Sequence, residues 1–106
     1  MLICRVVGTV VSTNKVEKLS SMKLLLTRAI DLDTFTESGP LLVSVDTVGA
    51  GTGEVVMTVG GSSSRQTSIT EDKPVDNSII AIIDYIDIGN KRIFDKAKST
   101  DSTKGE

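Results

Sequence analysis

The densest chemical signal in this chain is three glycines within five residues, Gly49, Gly51 and Gly53, separated only by Ala50 and Thr52. Glycine loops let backbone N–H groups approach an anion closely. The run Asp46-Thr47-Val48-Gly49-Ala50-Gly51-Thr52-Gly53-Glu54 lacks the Gly-Lys-Ser/Thr ending of a P-loop. Strand-like Val55-Val56-Met57 follows it, where a dinucleotide fingerprint requires a helix. The plainer reading is a tight β–β connection with positive φ angles. One turn needs one or two glycines, so the surplus suggests close approach of another backbone. Gly49, Ala50, Gly51, Gly53 and Glu54 are therefore candidates for a subunit interface.

Ser62, Ser63 and Ser64 offer hydroxyl nucleophiles, but a serine needs an adjacent base. The chain has no histidine, and the nearest following lysine is Lys73. Serines at a turn explain the run better. Arg65 can pair with Asp76 or Glu71, or face a pore or partner, so Ser62, Ser63, Arg65 and Asp76 join the interface or pore candidates. Asp46, Glu54, Asp76 and Asp84 adjoin apolar strands. They suit an acid/base pair, or hydrogen-bond acceptors for loop amides; the missing catalytic residue types favour capping. Cys4, on an apolar face, reads as an inert buried thiol.

These residues must be held by strands. Residues 2–13 alternate, with Leu2, Cys4, Val6, Gly8 and Val10 on one face. Residues 22–30 form a second strand, with Met22, Leu24, Leu26 and Ile30 together. A loop from Asp31 to Pro40 carries the turn signals Glu37-Ser38-Gly39-Pro40. A third strand covers 41–45, with Leu41, Val43 and Val45 together. A fourth covers 54–59, and a short helical turn is expected near 60–67. The last main strand, 78–86, is apolar on both faces, with Ile80 and Ile82 on one and Ile79, Ala81 and Ile83 on the other. One face lines a core; the other needs cover from the chain's own helical turn or C-terminal hairpin, or from a neighbouring subunit. Ile79 and Ile83 are interface candidates on that account. Gly89-Asn90 turns into a short returning strand at 91–94. Five strands without a long amphipathic helix make an all-β domain, residues 1–94, with a small β-barrel. Residues 95–106 read as a polar, flexible tail.

Composition excludes much. The 106 residues suffice for one domain. Aromatics are 3% and the net charge is −2, so the stacking platforms and basic groove of a nucleic-acid binder are lacking. No apolar run approaches a membrane span. The N-terminal stretch lacks a signal peptide's basic start and long apolar region. A single cysteine suits a reducing compartment, and the chain is expected to be soluble and cytoplasmic.

The chain resembles the pentameric vertex shell proteins of bacterial microcompartments, of the EutN/CcmL type. Four segments carry the match. They are Arg5-Val6-Val7-Gly8-Thr9-Val10-Val11-Ser12-Thr13-Asn14-Lys15 with Leu19 and Lys23-Leu24-Leu25, the run from Asp46 to Glu54, Gly61-Ser62-Ser63-Ser64-Arg65, and Pro74-Val75-Asp76 with Ile82-Ile83-Asp84. They occur in the family's order across residues 2–86. Ser21 stands where the family usually has glycine, and Ser64 where alanine is common. The resemblance implies a five-stranded barrel related to the OB fold, assembled as a homopentamer without cofactor or catalysis. Such rings cap the vertices of a cytoplasmic polyhedral shell whose facets are hexameric proteins. The shell encloses enzymes and limits escape of a volatile or toxic intermediate. From the residues alone, a small anion- or ligand-binding barrel is the alternative, and a carboxylate-dependent enzyme a third.

Overall fold

A computed structural model describes residues 1–12, 22–60 and 77–98. Its strands are β1 (Leu2–Val10), β2 (Lys23–Asp31), β3 (Thr36–Asp46), β4 (Val55–Gly60), β5 (Asn77–Ile82), β6 (Tyr85–Ile88) and β7 (Lys91–Asp95). The first five close into a barrel in the order β1-β2-β3-β5-β4, and β6 and β7 form a separate hairpin. The expected five-stranded all-β barrel is what the chain forms. Its neighbours are antiparallel except β3 and β5, which meet in parallel at Val45↔Ser78 and Asp46↔Ile79. Residues 96–98 add one helical turn after β7. Gly60 ends β4, so the expected helical turn from Gly61 onward lies outside the described residues; of the tail expected over 95–106, Asp95 ends β7, residues 96–98 form the helical turn, and residues 99–106 lie outside the described residues.

Strands send alternate side chains to opposite faces. Inside the barrel Cys4, Val6, Leu25, Val56 and Ile79 pack with Ala50 into one buried cluster, supported by Ala29 and Ile82. Thr27, Ser44 and Thr58 are also buried. An unpaired buried hydroxyl would cost about 1–3 kcal/mol, and these are paired. Thr27 Oγ1 lies 2.9 Å from Ser44 Oγ, which also accepts from Asn77 Nδ2. Thr58 Oγ1 lies 3.6 Å from Cys4 Sγ. Burial pushes the Cys4 thiol above its ordinary value, against the opposing Thr58 contact, so it stays an unreactive core thiol.

Several expected boundaries and faces are corrected. β1 stops at Val10 instead of 13. Its register shifts between Val6 and Gly8, so Gly8 pairs with Leu26 and leaves the face of Cys4 and Val6. β3 begins at Thr36, five residues before Leu41. The real turn precedes it, where the Asp33 amide donates to Asp31 Oδ1 at 2.9 Å. Gly39 and Pro40 are strand residues. Gly39 has φ of 81°, and Pro40 lies on a stretch of β3 with no second described strand beside it, where a missing N–H is tolerated.

The expected single strand over 78–86 breaks after Ile82. A register shift between Met57 and Thr58 leaves Ile80 unpaired, so Ile79 and Ile82 both support the barrel core. Ile83 packs instead against a second cluster of Ile30, Val55 and Phe94, joined by Ile3, Phe35 and Ile86. Its amide donates to Val55 O at 2.8 Å. The chain's own hairpin thus covers this side, and Phe35 stacks on Phe94 with ring centroids 5.4 Å apart.

Candidate functional site

The glycine loop joins β3 to β4 at one end of the barrel. Ala50 is its plug, wholly buried in the barrel core. Gly49 and Gly53 adopt φ of 82° and 93°, a region that costs side-chain-bearing residues energy. Gly51 does not, and a Cβ there would meet only Glu54 Oε1, at an ordinary 3.7 Å. Local geometry therefore accounts for two of the three glycines and leaves Gly51 unaccounted for.

The loop amides are turned onto the protein's own carboxylates. Asp46 Oδ1 accepts from the Val48 and Gly49 amides, both at 3.0 Å. Glu54 Oε1 accepts from the Gly51 amide at 2.7 Å. The Gly53 amide donates to Val6 O at 2.8 Å, while the Val6 amide donates to Glu54 O at 2.9 Å. A phosphate would find these donors occupied and two carboxylates beside them, which weighs against an anion-binding loop.

Three cations complete the arrangement. Lys23 Nζ donates to Ala50 O at 2.7 Å and lies 3.7 Å from Asp46 Oδ2. Arg5 donates to Gly53 O at 2.8 Å and pairs with Glu37 at 3.4 Å. Lys96 Nζ sits 2.8 Å from Glu54 Oε2. Capping was legible for Asp46 and Glu54. Their lysine partners were not, because no local pattern links Lys23 or Lys96 to the loop.

The Lys96 ammonium, helped by the Gly51 amide, holds the Glu54 carboxyl below its ordinary 4.5 against the opposing effect of burial. The folded chain therefore binds this proton more weakly than the unfolded chain. The resulting stability is fully present above the ordinary value and is lost as pH falls through the lower folded value. Glu54→Ala should cost about 1–3 kcal/mol through the orphaned Gly51 amide and should flatten the acid limb of the stability profile. Thermal unfolding across pH checks both; an unchanged profile would mean a merely solvated carboxylate.

Of the other candidates, Ile79 is 0% exposed and belongs to the barrel core, so its side chain offers no surface to a neighbour; Ala50 is likewise a core residue. Ile83 is partly buried against the second cluster beside the hairpin. Ser62, Ser63, Arg65 and Asp76 lie outside the described residues.

Comparison with known proteins gives a consistent picture. Residues 1–84 match the family described as ethanolamine utilisation protein EutN/carboxysome. The chain is 40% identical over 90 residues to the bacterial microcompartment shell vertex protein GrpN of Rhodospirillum rubrum, covering 85% of this chain and 100% of that one. It is 40% identical to the shell vertex protein EutN of Salmonella typhimurium, covering 91% and 96%. The solved structure of CcmL from Gloeobacter violaceus aligns with a TM-score of 0.85 at 38% identity, covering 92% and 99%. GrpN, solved as a pentameric microcompartment shell protein, aligns at 0.74 and 40%, covering 83% and 99%.

Proposed function

The chain belongs to the EutN/CcmL family, and from that membership we propose that it is a shell vertex subunit, five copies of which form a closed ring in a cytoplasmic microcompartment. The observation that carries this is the 40% identity to GrpN, a pentameric shell protein aligned over 99% of its length. A flat hexagonal layer cannot close, and a five-fold ring supplies the curvature at a vertex. The partners are then hexameric facet proteins. The role is structural: of the four carboxylates weighed for an enzyme, Asp46 and Glu54 are engaged by loop amides and lysines, and Asp76 lies outside the described residues. Gly51, which the subunit itself does not require, is placed at or near the contact with a neighbour, together with Gly49, Gly53 and Glu54.

A cyclic ring uses two different faces of each subunit and closes on itself. Native mass spectrometry of the purified protein should show five times the 11.3 kDa chain. A dominant monomer or dimer at micromolar concentration would refute the ring.

A further inference from the structure

On β2 and β3 the usual alternation is inverted. Leu25 pairs with Ser44 and Thr27 with Leu42, and the buried members Leu25, Thr27 and Ser44 belong to the barrel interior. The alternate pairs, Leu26↔Val43 and Arg28↔Leu41, therefore point outward. Hydroxyls occupy part of the inside, while an aliphatic stripe faces out. Leu41 is 48% exposed and Val43 52%. Gly8, across from Leu26 on β1, keeps the surface flat beside them. A Cβ there would meet Leu26 Cδ1 at an ordinary 3.5 Å, so the subunit's own packing does not demand the glycine.

Arg28 provides a second, independent observation. Its neighbour across the strands, Arg5, is satisfied by Glu37 and by the Gly53 carbonyl. Arg28 Nε is buried with no hydrogen-bond partner among the described residues. A buried donor without an acceptor is rare in a native fold. Arginine amid aliphatic surface is also a residue type enriched where interfaces carry their binding energy.

We infer that the outer face of β2 and β3, formed by Gly8, Leu26, Arg28, Leu41 and Val43, is one of the two faces through which identical subunits join in the ring, with Arg28 as its polar anchor. The occupant is a second copy of this chain, and the inference rests on the ring proposed above. The neighbour covers Leu41 and Val43 and brings a carboxylate or main-chain carbonyl to Arg28. Charge complementarity is available within the chain itself, since Asp33 is an exposed carboxylate at the β2–β3 turn that no described cation pairs.

Native mass spectrometry and size exclusion on wild type, Val43→Glu, Arg28→Met and Tyr85→Glu test this. Val43 and Tyr85 are similarly exposed, at 52% and 55%, and Tyr85 belongs to the separate β6–β7 hairpin and not to the barrel strands of this face. Val43→Glu should keep the β circular dichroism and unfold as a monomer. Arg28→Met keeps the side-chain stem but removes the orphaned donor, and should raise the concentration for ring dissociation at least tenfold. Tyr85→Glu should leave the ring intact. A wild-type ring that persists unchanged in both Val43→Glu and Arg28→Met overturns this face while leaving the pentamer standing. A monomeric wild type overturns the pentamer, and this face with it.

Discussion

Ile79→Ala is expected to destabilise the subunit by about 2–5 kcal/mol, the range for emptying a packed aliphatic site that can relax only in part. The side chain is wholly buried among Cys4, Val6, Leu25 and Val56. It also sits where β5 meets β3, and its carbonyl accepts from Thr47 Oγ1 at 2.6 Å and from the Thr47 amide at 3.4 Å. The truncation thus opens a cavity at the point that closes the barrel. For a domain of this size each kcal/mol lowers the melting temperature by roughly 4–8 °C. Wild type and variant should be compared by urea unfolding at one subunit concentration, because assembly adds stability by mass action. A loss below about 1 kcal/mol would lie under the expected range and remove Ile79 from the core.

The larger effect is expected in the cell. In a strain with this as its single vertex gene, deletion should leave facets able to form and vertices open. Hexagonal layers extend as sheets or roll into tubes, and neither encloses a volume at its ends. Electron microscopy should show elongated or unsealed compartments, and the enclosed pathway's intermediate should leak. Closed polyhedra of normal shape in the deletion strain would reject the vertex role.

Period-two alternation was enough to find the strands, and the glycine loop was legible as a β–β connection capped by carboxylates. It did not settle which face was inner. Alternation picks out Met22, Leu24, Leu26 and Ile30 on one strand and Leu41, Val43 and Val45 on the next, yet Leu26, Leu41 and Val43 face outward, Ile30 and Val45 are buried, and Leu25, Thr27 and Ser44 line the interior. Inner and outer rows are both apolar enough in an assembling protein that hydrophobicity cannot rank them. Two bulges worsened this. Those at Val7 and Ile80 each reverse the faces of the residues beyond them, and an extra valine or isoleucine in an aliphatic run leaves no compositional trace. The start of β3 was hidden for the opposite reason: Gly39 and Pro40 are strong turn residues used inside a strand. Lys23 and Lys96 reach the loop only through the tertiary fold.

The short contact between β3 and β5 has a consequence for how the protein avoids forming fibres. Upstream of Val45, no described strand pairs with the second edge of β3, and such an edge is a template on which another chain can add a strand without limit. A shell subunit, concentrated among its own copies, is more exposed to that hazard than a dilute enzyme. The sequence blunts this edge at the place where it is open. Pro40 removes a donor from the row, Gly39 turns the backbone to φ of 81°, and Glu37 sets a charge beside them. Growth by strand addition is obstructed there, so copies of this chain are left to meet through their side-chain surfaces.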